Sequence, residues 1–571
     1  MTTRATSMKH SSNVYRTASD ATLTTLASDS DSESGLDHGL VQWKAARPSL
    51  SSFLLEPIIS KGAQTIPLQS DARKFLKFLI MVPVSALAAI VFFATYLTPF
   101  LMDQGVHTFT EDAFWNNIMK NRLAFVLLVG LPIAGAVVYD IVQEGFTMAM
   151  LIRGRQRRTL PDHIARLTHG IIVCNYKEPI EVLRATVDSI AKNTLSSSCI
   201  VILACEDRDP TAESTFKQLK AEYRDTFLNF VMTKHILVSG EVAGKSSNEN
   251  HACRELNNMI EDQGVDPFTV MVTTCDADSL FDRVYFEHVE AEYCRMPDGR
   301  RFIYNAPINT YRNLPECSLL VKMFEISRCQ FDCFRGFNFR PAQSNYSLTL
   351  GFAKEINYWD PSNTSEDFHT TIKAMAVTGK GTHVVVPVWS LILNDSVCSV
   401  KDRWVQAKRH MWGIEEVAFT VLMFPMLRIN LWLSLFGMVG TQMFATCTPF
   451  FLYILFPAVR SVFFALRPET QKLIGALFVA GVLYSWAKAV IREFFVYRYI
   501  LNGRKLMLRR SSSEWLQIVV LWPFLSELSV IVFACVATWR VLVHAVFHET
   551  LQYITAPKAL NATQPRPKKS I

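Results

Sequence analysis

Two stretches of this chain, Phe78 to Leu101 and Ile429 to Val459, contain no charged residue. Each is longer than the roughly 20 apolar residues with which an α-helix crosses a hydrocarbon core about 30 Å thick. A chain of 571 residues in which such runs alternate with polar sequence must satisfy two solvents. The expected architecture is a multi-pass α-helical membrane protein, in contact with a lipid bilayer, with a water-soluble part between its helices. The net charge of +7 could suggest nucleic acid, but the basic residues collect beside apolar segments. Positive-inside bias explains that distribution, and no nucleic-acid partner is expected.

Charge also orients the chain. A second span starts at Leu123; the connection before it carries Asp103, Glu111 and Asp112, and its far end is followed by Arg153, Arg155, Arg157 and Arg158. The arginines place that far end in the cytosol. Two helices are thus expected within 75–152 and a cytosolic domain over 153–413. The tail, 1–70, contains the acidic serine run Ser28 to Ser34 and no apolar periodicity, the composition of a disordered cytosolic segment, and it has no apolar start resembling a signal peptide. Val417 to Leu427 is too short to span and is expected as an interfacial helix within 414–428. Three more spans are expected within 429–547: Ile429 to Val459, Leu473 to Trp486 extended by snorkelling of Lys488 and Arg492, and Trp515 to Trp539, which contains Glu527. Five spans leave 548–571 outside, where Asn561 opens a glycosylation sequon, whereas those at Asn345, Asn363 and Asn394 would be cytosolic and without meaning as sequons.

Ten of the twelve cysteines lie between Cys174 and Cys398 and none forms a CxxC pair, so reduced thiols are expected. Cys329 and Cys333, one helical turn apart, lack further ligands nearby and are expected to be packing residues. His383, ahead of Val384-Val-Val, is expected as a structural residue at a strand start.

The cytosolic stretch alternates short β-rich runs with amphipathic ones: Gly170 to Cys174, a helix from Ile180, Cys199 to Cys205, then Phe268 to Thr274. This alternation predicts an α/β domain with a mostly parallel sheet. The last of these strands ends in Asp276-Ala-Asp278, and alternate strand residues point the same way. Two carboxylates so placed can hold Mg²⁺ or Mn²⁺ together with diphosphate oxygens. Alone the pattern is weak, since acidic pairs are common in surface loops.

Its neighbours strengthen it. Between about 168 and 413 the order of motifs resembles the family 2 glycosyltransferases that include cellulose, chitin and hyaluronan synthases. Cys174-Asn-Tyr176-Lys-Glu178-Pro179 resembles that family's opening Tyr-Asn-Glu-Pro turn, Glu206 and Asp207 its acidic pair for base and ribose, and Lys245 to Asn250 its Lys-x-Gly-Ala-x-Asn stretch, without the Gly-Ala. Asp276 and Asp278 fall at its metal-binding pair, and Ser365-Glu366-Asp367 resembles the Thr-Glu-Asp motif whose aspartate is the general base. Gln406-Ala-Lys-Arg409-His410-Met-Trp412-Gly413 resembles Gln-x-x-Arg-Trp, with His410 where the family's acceptor-platform tryptophan stands.

The resemblance implies a GT-A-like fold, a nucleotide-sugar donor, a glycan acceptor and inverting transfer. In that scheme Asp367 is the base beside Glu366, while Arg409 and Lys245 offset phosphate charge. Processive growth of an extracellular or cell-wall polysaccharide is the expected activity, at the plasma membrane, with the Golgi as the alternative. Length and the Ser-rich tail also resemble fungal type 2 glycosyltransferases of the outer cell wall. Single-sugar transfer to a membrane lipid is the rival within the class, mildly favoured by His410; a non-catalytic transporter or receptor is the rival outside it. Each motif also has a duller reading. Glu206 and Asp207 could be a solvated turn, Glu366 and Asp367 helix N-terminal charges, and Arg409 a juxtamembrane cation.

Overall fold

A computed structural model of the chain describes residues 131–156, 167–333, 341–411, 468–501 and 511–541. Helix α1 (Leu131–Gln156) precedes an α/β domain. There β1 (Thr168–Asn175), α2 (Ile180–Ala191), β2 (Cys199–Glu206), α3 (Ala212–Glu222), β3 (Asn229–His235), α4 (Lys245–Asp262) and β4 (Val270–Asp276) follow in strict alternation. β1 and β2 read as near-continuous apolar runs because both faces of a central parallel strand are covered. Alternate residues divide between two cores. Ile172, Ile202 and Val272 pack with Leu256 of α4, while Ile171, Val173 and Val201 pack with Leu183, Val187 and Ile190 of α2. Gly170 allows α4 onto the sheet, for a Cβ there would lie 2.5 Å from Leu256.

The chain continues through β5 (Leu280–Phe281), α5 (Tyr285–Arg295), β6 (Ile303–Asn305), β7 (Ile308–Asn309), α6 (Leu319–Cys333), β8 (Tyr346–Thr349) and α7 (Leu350–Glu355). It then forms α8 (Glu366–Thr378), β9 (Val385–Pro387), β10 (Ile392–Leu393) and α9 (Val400–Met411). The main sheet has the order β3-β2-β1-β4-β8-β6-β9, and a small one the order β5-β10-β7. β1 to β4 pair in parallel, as the alternation predicts, whereas β8 is antiparallel to both β4 and β6, so the sheet is mixed. The chain steps outward from β1 through β2 to β3 and then crosses to β4 on the other side. The crevice at the carboxyl ends of β1 and β4 is therefore the topological switch point, where α/β sheets of this kind bind ligands.

Two further helices, α10 (Pro468–Phe495) and α11 (Ser512–Val530), follow; α11 runs on through a π-helical segment, Ile531–Val536. They and α1 stand where the second, fourth and fifth spans are expected. Among the described residues no helix is long and apolar enough to cross a membrane. Lys488 and Arg492, expected to snorkel, both find partners on α1. They pair with Asp140 at 2.9 Å and Glu144 at 2.8 Å on α1, because acids one turn apart on one helix match bases one turn apart on the other. Phe78 to Leu101, Ile429 to Val459, 414–428, the tail and Asn561 lie outside the described residues, as does the side chain of Glu527. Cys329 and Cys333 are buried in an apolar cluster, as expected of packing residues. His383 is exposed, in the turn before β9 rather than within a strand.

α9 is fixed by a charge network in a nearly dry setting. Glu325 of α6 is fully buried and takes Arg403 of α9 and Arg328 at 3.0 Å each, with the Thr310 hydroxyl at 2.7 Å. The Arg403 guanidinium lies 4.4 Å from the Phe324 ring and donates to Gln406 Oε1 at 2.5 Å. Removing one member of a buried pair strands the other charge. Glu325→Ala should therefore cost about 3 kcal/mol of stability, and Glu325→Ala combined with Arg403→Met distinctly less than the sum of the two single changes, measured by denaturant unfolding of the detergent-solubilised protein.

Candidate active site

The turn after β1 is built by a residue outside the expected set. Asp209 is buried and accepts from Asn175 Nδ2 at 3.3 Å, from Lys177 N at 2.8 Å and from Thr211 N at 2.9 Å. Burial alone would raise its carboxyl pKa, but these donors hold it below the ordinary value. Lys177, at φ 56°, takes the left-handed conformation that lets the chain reverse before Pro179. Tyr176 is left with its ring 5.1 Å from the Arg208 guanidinium, and the Glu178 N–H donates to Asn175 Oδ1 at 3.3 Å. Glu206 and Asp207 stand at the end of β2, as expected, each facing a cation: Glu206 accepts from Arg208 Nε at 3.1 Å and Asp207 pairs with Lys234 at 3.1 Å. Register sets Cys174 opposite Asp276 and Asn175 opposite Cys205, so these groups share one sheet edge.

At that edge the first residue of α4 extends an ammonium into a nest of acids. Lys245 Nζ lies 3.0 Å from Asp276 Oδ1, 2.9 Å from Glu366 Oε1 and 3.6 Å from Glu249 Oε1, and donates to the Ser344 carbonyl at 2.5 Å. One cation cannot balance three carboxylates, two of them buried, so the arrangement favours retained protons. Glu249, fully buried, has its pKa driven well above the ordinary value, first by burial and then by Glu366 and Asp276 against the pull of Lys245. Glu366 is pushed to about 7 by burial, opposed by Lys245. The same acids hold the Lys245 pKa well above its usual value despite burial.

Asp367, next to Glu366 in the first turn of α8, faces elsewhere. Its Oδ2 accepts from Ser344 N at 2.9 Å and its Oδ1 from Phe368 N at 2.7 Å. Burial raises its pKa and these two donors limit the rise. Asp276 is the open member of its pair, with a side chain 25% exposed, whereas Asp278 is buried, its Oδ2 accepting from Asp395 N at 3.3 Å. Thr186 pins the intervening Ala277 carbonyl at 2.6 Å. Asp276 Oδ2 accepts from Asn394 Nδ2 at 3.3 Å and from the Ser344 hydroxyl, and the Asp276 N–H donates to Asn345 Oδ1 at 2.8 Å. Among the described residues no group of three or more His, Cys, Asp or Glu side chains converges as metal ligands.

Other expected residues fall apart from this nest. Asn250 is held by Arg254 Nε at 3.2 Å, and Glu249, its neighbour, is the side chain of that stretch that joins Lys245. Helical geometry explains the exchange, since positions four apart share a face. Gln406, Arg409 and His410 lie on α9, Gln406 held by Arg403; Trp412 lies beyond the described residues. Burial, with Arg403 and Arg409 adjacent, keeps the His410 imidazole well below its ordinary pKa, hence neutral. Sequence reasoning missed Asp209, Glu249, Ser344, Glu325 and Arg403. The nearest signal was Asn345 and Asn394, noticed only as sequons.

Residues 271–547 match the family model described as Glycosyl transferase family group 2, and the chain is a glycosyltransferase. The matched residues include Asp276, Asp367 and Arg409. Among solved structures it is similar to the mannosyltransferase PcManGT from Pyrobaculum calidifontis in complex with GDP-Man and Mn²⁺, at 13% identity, 65% of this chain, 99% of that one and TM-score 0.36. It is also similar to S. aureus TarS 1–349, at 12% identity, 66% of this chain, 91% of that one and TM-score 0.30. No curated protein matches it.

Glu366 makes the site's stability depend on pH. Its folded pKa, about 7, lies above the ordinary 4.5, so the folded state binds that proton more tightly than the unfolded state. Its contribution is therefore most favourable below pH 4.5 and is lost as pH rises to about 7. Wild type should lose stability relative to Glu366→Gln over that window, by about 3 kcal/mol at most, with no further change above it, measured as paired unfolding curves across pH.

Proposed function

We propose that this protein is an inverting, processive glycosyltransferase that takes sugar from a nucleotide-sugar, a UDP-sugar by resemblance, and extends a glycan that it passes through the membrane holding it. The observation that carries the reading is the division of the acids at the switch-point edge. Asp276 and Glu366 lie against Lys245, while among the described residues Asp367 accepts from two backbone N–H donors and forms no ion pair at contact distance.

In the transfer the acceptor hydroxyl oxygen attacks the anomeric carbon as its proton passes to Asp367, while the bond to the nucleoside diphosphate breaks and its electron pair leaves with the diphosphate. Lys245, released from part of its acidic nest, and Arg409 offset the charge on that leaving group. Asp276 and Asp278 suit a hard cation, and a lysine ammonium already stands 3.0 Å from Asp276. They would hold Mg²⁺ or Mn²⁺, which would neutralise the diphosphate oxygens. Glu206, Asp207 and Tyr176 would receive the nucleoside at the same edge. Membrane embedding rests on the uncharged runs Phe78 to Leu101 and Ile429 to Val459, and the exposed apolar side chains Val138, Val142, Val479, Leu483 and Val520 of α1, α10 and α11 agree with it. The plasma membrane is the proposed site, as suits an exported glycan.

The test is product analysis in nanodiscs with a panel of radiolabelled nucleotide-sugars and Mn²⁺ or Mg²⁺. A high-molecular-weight, glycosidase-sensitive product is expected, falling about a thousandfold with Asp367→Asn. Label confined to lipid would replace the polymer by a lipid acceptor, and release unaffected by Asp367→Asn would remove the base assignment.

A further inference from the structure

Ser344 is a strained residue with an unusual set of contacts. It holds φ 46°, the left-handed region that a glycine enters freely and a serine enters at a cost of about 1 kcal/mol or more. From that one position it touches three elements of the site. Its amide donates to Asp367 Oδ2 at 2.9 Å, its carbonyl accepts from Lys245 Nζ at 2.5 Å, and its hydroxyl donates to Asp276 Oδ2. Thr274 of β4 anchors the same carbonyl through its hydroxyl at 2.9 Å. The three backbone contacts would survive in glycine, without strain. Only the hydroxyl contact requires a side chain, so strain is retained where the side chain serves Asp276.

We propose that Ser344 is a positioning residue that orients the Asp276 carboxylate through its hydroxyl while its backbone holds Asp367 and Lys245, so that metal-side and base-side groups are set from one strained point. The inference rests on the roles proposed above for Asp276 and Asp367. With Asn394 at 3.3 Å and the hydroxyl both on Oδ2, the carboxylate is fixed with Oδ1 turned toward the Lys245 ammonium, the place of positive charge. Losing the hydroxyl leaves Asn394 as the longer hold, and Asp276 gains rotational freedom that a cation would have to remove.

Two substitutions separate this role from a structural one because they move stability and function in opposite directions. Ser344→Gly relieves the strain and removes the hydroxyl. Ser344→Thr keeps the hydroxyl but places a β-branched side chain at positive φ. In the full-length protein in nanodiscs with saturating UDP, Mn²⁺ affinity is read from the free-Mn²⁺ electron paramagnetic resonance signal, alongside the melting temperature. The expected result for Ser344→Gly is an unchanged or higher melting temperature with Mn²⁺ affinity about tenfold weaker. Ser344→Thr should melt lower yet bind Mn²⁺ within about twofold of wild type. Mn²⁺ affinity that follows melting temperature across the two variants, or that is unchanged or tighter in Ser344→Gly, would overturn the assignment. Wild type that takes up no Mn²⁺ while an Asp367→Asn-sensitive transfer proceeds would overturn it through the metal role of Asp276, leaving the transferase reading standing.

Discussion

The Lys245 ammonium, buried among Asp276, Glu366 and Glu249, is the interaction on which the rest of the site depends. It joins the start of α4, the end of β4 and the first turn of α8, elements brought together only by the crossing of the sheet at β1. Charges in so little water are tolerated only when matched, and the match here is incomplete: more acid than base has been gathered. The excess pushes the carboxyl pKa values up, that of Glu249 well above its ordinary value and that of Glu366 to about 7, burial being the first cause of both.

A second buried pair does for α9 what Lys245 does for α4 and α8. Glu325 and Arg403 bind α9 to α6, and α6 is in turn tied to α10, where Glu493 accepts from Gln330 at 3.0 Å and from Tyr311 at 2.9 Å. Arg403 holds Gln406 directly, so the segment carrying Gln406, Arg409 and His410 inherits its position from packing that begins outside the sheet. Its buried charges act by orientation: an apolar substitute could pack as well, but it would not fix the rotation of α9 about its axis.

What could be read in the sequence follows from how local each feature is. β1, β2, β4 and α2 showed themselves because a parallel strand covered on both faces is a continuous apolar run, and a helix lying on it carries apolar residues at helical spacing. Asp276, Asp278, Glu366 and Asp367 stood out because each pair lies at the end of such an element. Glu249 was passed over for Asn250, since the sequence order of a motif does not say which face of its helix turns inward. Ser344, Asn394 and Asp209 act from loops through single hydrogen bonds, and no periodicity marks a loop residue by its partner. Lys488 and Arg492, expected to reach for solvent, have partners 348 positions away on α1, beyond any spacing rule.

Glu366 and Asp367 show how far environment can divide two adjacent acids. Both lie in the first turn of α8, Glu366 buried and Asp367 partly so, where the helix dipole favours negative charge, and both are pushed upward by desolvation. Glu366 Oε1 lies 2.9 Å from the Lys245 ammonium, so its ionised form is engaged in an ion pair. Asp367 receives the N–H groups of Ser344 and Phe368, which support its ionised form. A general base must be ionised, poised somewhat above the ordinary aspartate pKa, and free to accept a proton. In the proposed reaction Asp367 is the base, and its ionised form is supported by the backbone of Ser344, the residue that also holds Asp276. The assignment of base and partner therefore rests on what each carboxylate touches, and the likeness of Ser365-Glu366-Asp367 to a motif is secondary to it.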